Sequence, residues 1–566
     1  MLNLPLECCQ RIYVSSCILH ALNHLLSLHS GAPFVHPILC ETMNEHPTSP
    51  TPACIAETPL SETRRSSPAP TRAVDSPLSE FRKDSLVPSD VPYPKALLSQ
   101  KYLVTSIVLR DDKVPVASSA RLDSIQEQHP LPQECRDRTV GYLRWGFFSM
   151  YRKIFTLVFV VNFIPLVVIL SQFGHGQSAA AISRTASTAA AANFCVGICM
   201  RNEHVVNALF RIACTVPLSA PLAIRRQFAK VYSYGGAHSA CTTSGSMWYF
   251  VYYALSTYGF YVAASWQIGV AVTSGVLVLL LVLILIFAHP YLRMRHHDLF
   301  EQTHRFAGWS AIAAFWVQVG LSASAQPGDT GHILVRTPAF WFLIVITCCI
   351  IYPWARLRSR KVEVEVLSKH ATRLHFDYDS MVPAAGVRLT DSALKETHAF
   401  ATIPNRPDQG KGFSVMVSNA GDWTRKIIDN PPDRLWVRGA PTLGVIKVSL
   451  LFKKVLIIAT GSGIGPCLSL LQGMPGYPVR VIWSAPTPVE TWGADIAQAV
   501  LRADPGAIIV DTRKTGRPDL VALAYAAYKE SGAEAVVIIS NPKVTQNVVY
   551  GMESRGVPAF GAIFDS

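Results

Sequence analysis

A glycine-rich turn follows an apolar run in the segment VLIIATGSGIGPCLSLL, residues 455–471. The apolar run ends at Thr460, and Pro466 stands where proline is favoured, in the first turn of a helix. The glycines between them are Gly461, Gly463 and Gly465. Glycines allow a backbone to approach a pyrophosphate, whose charge is stabilised by the free amides of a helix N-terminus. We therefore expect a dinucleotide to bind here, although such a turn can also serve strand-to-helix geometry alone.

Two earlier segments, THAFATIP at 397–404 and GFSVMVSNAGDWT at 412–424, place aromatic and hydroxyl residues near the ends of strands. His398 and Phe400 can offer aromatic faces to a flavin ring, with the Thr402 hydroxyl near that ring. An amide, a packing surface and a hydroxyl for a diphosphate come from Gly421, Trp423 and Thr424. Taken singly, these residues have simpler interpretations: Phe400 in a barrel core and Gly421 in a hairpin turn.

The elements that position these motifs follow two strand patterns. Residues 361–445 contain alternating runs such as KVEVEVL and GFSVMVS separated by turn residues, which predicts a small antiparallel β-barrel. From Val455 onward, apolar runs (VLIIAT, VRVIWS, AIIVD, AVVIIS) alternate with helix-length segments, which is typical of a doubly wound parallel sheet. We expect a flavin-binding barrel domain at 357–450 and a nucleotide-binding α/β domain at 451–566.

A strongly apolar region precedes these two domains. The chain has 566 residues, of which 50% are hydrophobic and 16% charged, and the longest apolar runs lie between residues 154 and 354. Such runs can cross a bilayer core of roughly 30 Å. The pattern predicts a helical membrane domain at 151–356. Its six spans are Ile154–Phe173, Thr185–Met200, Met247–Ala264, Gln267–Ala288, His304–Ser322 and Pro338–Trp354. A seventh span at 204–224 is disfavoured by Arg211 and two prolines.

Basic residues mark one side of this domain. The loops at 201–246 and 289–303 carry most of the Lys and Arg, whereas the opposite loops carry only Arg184 and Arg336. Cytosolic loops of membrane proteins collect Lys and Arg, so we expect both termini and the redox domains in the cytosol, at the plasma membrane or an endomembrane. The formal net charge of +13 then indicates membrane flanks, and we expect no nucleic-acid partner.

The first 150 residues are expected to be disordered or weakly structured. Residues 41–95 are rich in Pro, Ser, Thr and charge, and such a segment cannot bury enough apolar surface to fold. The mildly apolar stretch before it lacks a clear basic n-region and cleavage site, which disfavours a signal peptide. The 13 cysteines show no facing CxxC elements, so a zinc site and a disulfide framework both lack support.

Four segments in this order (HAFATIP, FSVMVSNAGDWT, VRGAPTLGV and ATGSGIGPCLSLL) resemble the flavin and nicotinamide motifs of NADPH oxidases and ferric reductases. Four others (RNEHVVNALFR, GGAHSACTTSGSMWY, HHDLFEQTHRFAGW and VPAFGAIFDS) resemble the fungal TmpA-type membrane flavoproteins, so that the resemblance covers about residues 150–566. It implies an enzyme in which NAD(P)H reduces FAD and the flavin reduces an unidentified acceptor. It also suggests a role in developmental signalling.

The resemblance also implies which residues bind each cofactor. The isoalloxazine of FAD would be held by His398, Phe400 and Thr402, and its phosphates by Gly421, Trp423 and Thr424. The nicotinamide cofactor would be held by Gly461, Gly463, Gly465 and Pro466. The Cys-Gly-Pro element of the oxidases appears here as Ser540-Asn541-Pro542. Phe400, Thr402 and Ser540 would then lie at the hydride-transfer site, and Ser540 lacks the thiol of that element.

Two further departures concern the flavin motif and the choice of nucleotide. Ala399 stands where the oxidases have proline. Ala485 and Pro486 follow the strand VRVIWS, with no Arg to bind a 2′-phosphate, so the sequence does not favour NADPH over NADH. Three cations in the later segment DTRKTGRPDL are the alternative source of that charge: Arg513, Lys514 and Arg517.

The oxidases and ferric reductases hold two haems between paired histidines on two helices. Here only His238 and His304 are available, and no histidine follows about four turns later near Tyr252 or Gln318. The sequence therefore allows at most one haem, and the two histidines can instead cap helices or dock the soluble domains. His297, Glu301 and His304 also share a helical face, for which a solvated face is a simpler interpretation than a metal site.

The sequence thus predicts a membrane flavoprotein oxidoreductase whose partners are the lipid bilayer, a nicotinamide nucleotide and an electron acceptor. Two alternatives stay open. One is a degenerate reductase that binds flavin or nucleotide as a membrane sensor without turnover, suggested by Ser540 and the missing histidines. The other is a transporter with a regulatory domain, which the absence of a buried acidic pair disfavours.

Overall fold

A computed structural model describes residues 114–262, 267–406 and 409–562, with the side chain of residue 138 excepted. Residues 41–95, expected to be disordered, lie outside this description. The described chain forms a helical bundle, then an antiparallel sheet, then a parallel sheet. The helices before the first strand are α1 (Ser119–Gln128), α2 (Arg138–Gly141), α3 (Met150–Gly174), α4 (Ala179–Cys199), α5 (Glu203–Ala213), α6 (Leu222–Phe228), α7 (Gly235–Val262), α8 (Ile268–Ala288), α9 (Pro290–Arg295), α10 (His297–Ser324), α11 (Thr330–Arg336) and α12 (Pro338–Ala355).

Within the described residues, four helices are long and apolar enough to cross a membrane: α3, α8, α10 and α12. They leave large apolar side chains uncovered, for example Leu157 at 65% and Leu279 at 70% exposure. Soluble domains rarely expose apolar side chains over whole helices, so these faces suit contact with lipid. The second and third predicted spans are also helices, α4 and α7, but neither is among the four that are long and apolar enough to cross a membrane.

The helices α4 and α7 are rich in Ala, Ser, Thr and Gly, and they pack closely against each other. A Cβ on Gly197 of α4 would lie 2.8 Å from the Thr242 methyl group, so the two helices approach at a small residue. A polar group at the centre of the bundle is also satisfied: the Asn162 side-chain oxygen accepts hydrogen bonds from Asn193 (2.7 Å) and Trp248 (3.1 Å). Small and polar residues thus lower the hydropathy of helices that lie inside the bundle.

Seven antiparallel strands follow in the order β1-β7-β4-β5-β6-β3-β2. Their bounds are β1 (Arg358–Lys361), β2 (Glu363–Val366), β3 (Ala371–Phe376), β4 (Ala385–Thr390), β5 (His398–Pro404), β6 (Phe413–Ser418) and β7 (Arg434–Leu443), with helix α13 (Asp422–Asp429) between the last two. The outer strands β1 and β2 are joined by the single buried residue Val362. Because one residue spans the two edges, the sheet must curl until they meet, which gives the barrel-like shape that the alternating pattern predicts.

Five parallel strands form the last domain in the order β10-β9-β8-β11-β12. The strands are β8 (Val455–Thr460), β9 (Val479–Ala485), β10 (Ile508–Asp511), β11 (Ala535–Ile539) and β12 (Ala559–Gly561). The helices are α14 (Ile464–Gly473), α15 (Pro488–Trp492), α16 (Ala494–Ala503), α17 (Leu520–Ser531) and α18 (Pro542–Glu553). The central strands are almost wholly buried because helices cover both faces, which explains their continuous apolar runs.

Residues 114–137 correct the expectation of a weakly structured region up to residue 150. The amide of Ala117 donates to the Ile509 carbonyl (2.8 Å) at the edge of the parallel sheet. Leu122 of α1 is buried in the core that this sheet shares with α17. Further along, the Arg555 guanidinium donates to the Pro132 carbonyl (2.6 Å). This segment therefore belongs to the parallel-sheet domain, although it lies more than 300 residues before that domain in the chain.

The loop between α4 and α7 also packs on the soluble domains. Arg225 is 4% exposed and forms an ion pair with Glu534 (2.6 Å), which follows α17. Arg226 and Lys230 both lie near the Glu553 carboxylate, at 3.0 and 3.4 Å. The basic residues assigned from the sequence to a membrane flank thus pair with acids of the parallel-sheet domain. This arrangement places the loop and that domain on one side of the bundle.

Candidate functional site

The parallel sheet reverses its strand order at β8. The chain moves outward from β8 to β9 and β10, then returns to the other side of β8 with β11 and β12. A crevice opens at such a switch point, outside the carboxyl ends of the strands, and ligands bind there in open α/β sheets. Thr460 ends β8 and Ser540 directly follows β11, so both lie at this crevice. Their hydroxyl oxygens are 2.5 Å apart.

The glycine-rich turn begins at this crevice and has two separate structural requirements. Gly461 has φ +52°, and a Cβ added there would meet no atom within 4 Å, so its outer side is open. Its carbonyl accepts a hydrogen bond from the Trp483 indole (3.1 Å), which anchors the turn to β9. A Cβ on Gly463 would lie 2.1 Å from the Ile539 carbonyl oxygen. Gly463 is therefore required for packing against β11, whereas Gly461 faces open space.

A cleft of about 280 Å³ lies between this turn and the antiparallel sheet. Its lining comes from five segments: His370, Ser418–Ala420, Thr460–Ser462, Pro486 with Thr491–Trp492, and Asn541. None of these lining residues is Lys or Arg. The Trp492 indole is 2% exposed, and its N–H has no partner among the described residues. An unpaired buried donor at a cleft marks a place where a ligand acceptor would be favourable.

The far side of the cleft is the loop between β6 and α13. Asn419 and Ala420 line the cleft, and the next residue, Gly421, precedes the first turn of α13. The Thr424 hydroxyl accepts the amide hydrogens of Ala420 (2.9 Å) and Gly421 (3.0 Å) and donates to the Gly421 carbonyl. Thr424 therefore fixes this turn, and its hydroxyl has no free donor for the phosphate that the sequence analysis assigned to it.

The aromatic residues of the predicted flavin motif form a separate stack. The rings of His398 and Trp423 are nearly parallel at 4.4 Å, and Phe400 lies 5.8 Å from Trp423. The ring nitrogens His398 Nε2 and Trp423 Nε1 have no hydrogen-bond partner in the described chain. Burial lowers the pKa of His398, against the opposing effect of Glu396 and Asp391, so the imidazole is neutral at pH 7. Two unpaired donor or acceptor atoms beside an aromatic stack fit the edge of a heteroaromatic ring.

Thr402 is not available to a ligand. Its side chain is fully buried, and its hydroxyl donates to the Ala385 carbonyl (3.0 Å) on the neighbouring strand β4. We expected this hydroxyl near a flavin ring, but in the structure it hydrogen-bonds β5 to β4. The exposed residue of that strand is Ala399, whose side chain has no polar atom.

The structure brings together the glycine turn, Ser540 and the loop before Gly421, but His398, Phe400 and Trp423 do not line the same cleft. Several lining residues escaped the sequence analysis: His370, Asn419, Thr491 and Trp492. His370 and Asn419 lie beside strand ends of the antiparallel sheet, whereas Thr491 and Trp492 form the last turn of α15, so no single local pattern marks these residues. The His370 ring packs edge-on against Trp492 at 6.0 Å.

The turn after β9 is held by an acid. The Asp511 carboxylate at the end of β10 accepts amide hydrogens from Thr487 (2.9 Å) and Arg513 (3.0 Å). Thr487 has φ +38°, and its hydroxyl lies 3.0 Å from that of Thr491. This turn therefore presents hydroxyl groups beside a buried carboxylate, and the side chain of Arg513 is exposed on the neighbouring loop.

Two histidines face each other within the bundle. The ring centroids of His238 on α7 and His304 on α10 are 6.4 Å apart, and His238 Nδ1 lies 2.7 Å from the Gly197 carbonyl oxygen. At the later positions, the Gln318 side chain contacts Tyr249 (3.0 Å) and Tyr252 (3.3 Å). Among the described residues, no group of three His, Cys, Asp or Glu side chains can hold a metal ion.

Comparisons with known proteins connect this chain to fungal reductases. The C-terminal residues 445–566 match the sequence model of a family described as "Adenylate-forming reductase 03009, C-terminal domain". The chain is 45% identical over 440 residues to Adenylate-forming reductase 03009 of Coprinopsis cinerea, covering 77% of this chain and 42% of that protein. It is 41% identical over 497 residues to Adenylate-forming reductase 06235 of the same fungus, covering 85% and 47%. The chain thus spans less than half the length of these curated relatives.

Among solved structures, two reductases show low similarity to this chain. A ferredoxin NADP⁺ reductase from Neisseria gonorrhoeae with bound FAD and NADP is 14% identical, with a TM-score of 0.30, and the match covers 37% of this chain and 98% of that chain. A cytochrome P450 reductase from Amycolatopsis is 14% identical, with a TM-score of 0.28, covering 37% and 71%.

Proposed function

We propose that this chain is a membrane-associated oxidoreductase in which NAD(P)H reduces FAD, and in which the flavin then reduces an acceptor at the membrane. The observation that carries the proposal is the cleft between the glycine turn at the sheet switch point and the loop before α13. Two unrelated parts of the chain, each with its own cofactor motif, meet across this cleft. The word reductase in the names of both curated relatives agrees with the proposal.

The nicotinamide dinucleotide would bind at the crevice. Gly461 leaves room for a pyrophosphate next to the first turn of α14, whose amides are the usual anion site of this fold. The unpaired Trp492 indole N–H can donate to a ligand oxygen from the other wall. The Thr460 and Ser540 hydroxyls lie where the reacting end of the nucleotide would enter the space between the domains.

FAD, when bound, supplies the ring that accepts hydride from the reduced nicotinamide. The residues present fit such a group, because the stack of His398 with Trp423 has unpaired nitrogens on both rings. His398 and Phe400 would hold the ring, and the backbone around Gly421 would hold the diphosphate. Trp423 lies between these two sets of residues and would orient both the ring and the diphosphate. Thr402 stabilises β5, the strand that carries His398 and Phe400.

The membrane part of the proposal has several finer points. We propose that α4 and α7 join the four apolar helices to give six spans, with the soluble domains and both ends of the chain on the cytosolic side. The contacts of Arg225 and Arg226 with the nucleotide-binding domain support a common side. A TmpA-type role in developmental signalling would follow from the product of the reaction, and it stays a hypothesis by resemblance.

At most one haem could be held between His238 and His304, and the alternative is that these histidines cap helices or dock the soluble domains. Two imidazoles that ligate one metal at about 2.0–2.1 Å each have ring centroids roughly 6 Å apart, and the observed separation is 6.4 Å. If Nδ1 of His238 donates to the Gly197 carbonyl, the other ring nitrogen is left as a ligand, which is the usual arrangement of a metal-bound histidine. When bound, such a haem would supply a one-electron carrier on the side of the soluble domains.

An anaerobic spectrum tests the proposal. Detergent-solubilised full-length protein should show a flavin band that NADH or NADPH bleaches, and a Soret band if the haem is present. A flavin band that neither nucleotide bleaches would favour the alternative of a sensor without turnover. That alternative has one structural argument, since the hydroxyls of Ser540 and Thr402 are already engaged inside the protein. Protein without flavin would contradict the oxidoreductase and would leave only a sensor that binds nucleotide.

A further inference from the structure

Three cysteines lie together where α4 packs on α12. The Sγ atoms of Cys199 and Cys349 are 3.9 Å apart, although 150 residues separate them in the chain. Cys195 lies one turn earlier on α4. Cys195 is buried, whereas Cys199 and Cys349 are partly exposed. Two thiols must be close in space to form a disulfide, and exposure to the surface gives an oxidant access to them.

The position of this pair in the fold gives a disulfide a mechanical consequence. Helix α12 ends at Ala355 and leads into β1, and α4 ends at Cys199 and leads into α5. The amide of Asn207 on α5 donates to the Pro441 carbonyl of the barrel (2.9 Å). Both partners of the pair therefore lie a few residues before the points where the bundle contacts the barrel.

A second contact joins the segment after α4 to α12. The rings of His204, just past α4, and Tyr352, one turn beyond Cys349, lie 4.9 Å apart and share a hydrogen bond between the His204 ring and the Tyr352 hydroxyl. The two segments thus stay in register over successive turns. A covalent bond at Cys199 and Cys349 would join surfaces that already pack in the reduced protein.

We propose that Cys199 and Cys349 form a reversible disulfide that ties the bundle together at its junction with the barrel. The oxidant is a peroxide: two thiols and one hydrogen peroxide give one disulfide and two waters. A small thiol restores the pair by exchange, in which two equivalents are oxidised to their own disulfide. In a reducing compartment such a bond would be transient, as redox-sensing disulfides are.

The geometry selects this pair over the neighbouring thiols. A disulfide bond is about 2.05 Å long, so the two sulfurs must approach by about 2 Å, which side-chain rotation can supply. Cys195 and Cys199 are four residues apart on one helix, where Cβ atoms stay about 5–6 Å apart, beyond the span of a disulfide. A soft metal is not an alternative within the described chain, where no group of three ligands gathers around one point.

The test treats the full-length protein in detergent with hydrogen peroxide, blocks the remaining thiols with N-ethylmaleimide and identifies disulfide-linked peptides by mass spectrometry. We expect the peptide pair of Cys199 and Cys349, removed by a reducing agent. Its yield should exceed that of Cys199 with Cys348 roughly tenfold, because adjacent helical residues point about 100° apart. Cys348 is therefore a matched internal control, since it is exposed on the same helix.

The variants Cys349→Ser and Cys348→Ser complete the design. The first should lose the linked peptides, and the second should retain them at the wild-type yield. Size-exclusion elution at the wild-type volume checks that each variant is folded. The proposal fails if wild-type Cys199 and Cys349 stay fully alkylated at peroxide concentrations that oxidise the exposed Cys135. It also fails if Cys199 pairs equally with Cys348. Neither readout depends on the proposed redox activity.

Discussion

The hydroxyls of Thr460 and Ser540 join the carboxyl ends of two adjacent parallel strands, 80 residues apart in sequence and 2.5 Å apart in space. Ser540 is 6% exposed, and its carbonyl also accepts the Thr545 hydroxyl (3.2 Å), so the residue links β11 to α18 as well. The pair therefore ties the two strands together at the end of the crevice at which we place the nucleotide.

This contact can be measured by a double-mutant cycle. Thr460→Val and Ser540→Ala each remove one partner, and a buried neutral hydrogen bond contributes about 0.5–1.5 kcal/mol to stability. We expect the coupling between the two substitutions to fall in that range, from thermal or denaturant unfolding of the purified protein. Additive effects of the two single variants would show that the hydroxyls do not interact.

Gly461 offers a cleaner test of nucleotide binding than Gly463. Asn tolerates the left-handed backbone of Gly461, and its side chain would project into the cleft without a clash. Gly461→Asn should therefore reduce NAD(P)H oxidation at least about tenfold, which corresponds to the loss of one hydrogen bond to a charged group. The melting temperature should change little.

Gly476→Asn is the matched control for that variant. Gly476 also has a positive φ, +82°, with no atom within 4 Å of an added Cβ, and it does not line the cleft. Its activity should equal that of the wild type. Equal activity of the Gly461 variant would remove the nucleotide from this turn. Gly463→Ala is unsuitable, because its Cβ would meet the Ile539 carbonyl at 2.1 Å and unfolding would explain any loss.

His398 is expected to contribute to flavin binding through its face. Aromatic contacts are worth about 0.5–1.5 kcal/mol beyond area burial, so His398→Ala should weaken FAD binding by about tenfold. The measurement is the ratio of flavin to protein absorbance after gel filtration. His375 on β3 is the control: its side chain is 35% exposed against 33% for His398, but it pairs with Glu365 at 2.8 Å. Equal flavin content in both variants would contradict the assignment.

The ion pair of Arg225 with Glu534 should stabilise the docked loop. Removing one partner of a buried pair costs about 3–5 kcal/mol, and Glu534 is only partly covered, so Arg225→Met should fall at or below the lower end. Arg425→Met removes an exposed contact with Asp422 at 4.0 Å and should change stability by less than about 0.5 kcal/mol. Melting curves of both variants are the measurement. A larger loss of stability in Arg225→Met shows that the pair of Arg225 with Glu534 stabilises the protein, and equal losses would show that it does not.

The same pair predicts a dependence on pH. Burial alone would raise the pKa of Glu534, but hydrogen bonds from Arg225 and the Lys453 amide outweigh it and lower that pKa. A carboxyl with a depressed folded pKa stabilises fully above its unfolded pKa and loses the contribution as pH falls through the folded value. The wild type should therefore lose more stability than Arg225→Met between about pH 5 and pH 3. Parallel pH profiles would contradict this origin.

The cleft predicts the nucleotide preference. No lining residue is Lys or Arg, and the turn after β9 is held by the Asp511 carboxylate, so a 2′-phosphate finds no permanent positive charge there. We expect kcat/KM for NADH to equal or exceed that for NADPH. If NADPH is preferred instead, the exposed Arg513 supplies the charge, and Arg513→Ala should then abolish the preference while leaving NADH oxidation unchanged.

Much of the architecture follows from local sequence pattern. The apolar run of α8 and the continuous runs of β8 and β11 are long and regular, and each type of run has one stable environment: lipid in the first case, a sheet covered on both faces in the second. The strand, glycine turn and helix around Gly461 were likewise predictable, because the residues that require this geometry are neighbours in the chain.

Other features depend on partners far away in sequence. The hydropathy of α4 and α7 does not show whether they face lipid or each other, and their small residues have a meaning only once the helices are packed. The local sequence does not show whether Arg225 forms an ion pair or belongs to a membrane flank, because its partner Glu534 lies 309 residues later. Residues 114–137 give no sign in sequence that they complete the distant parallel sheet.

The sequence by itself determined the strand, glycine turn and helix around Gly461, the order of the helical, antiparallel and parallel parts, and the strongest apolar helices, because these rest on contacts between near neighbours. Only the tertiary structure decided which polar groups are engaged: the Thr402 and Thr424 hydroxyls bond to backbone partners, whereas Trp492 Nε1 and His398 Nε2 have no hydrogen-bond partner among the described residues. A polar group is available to a ligand only when no other part of the chain satisfies it, and that condition is set by the packing of segments distant in sequence.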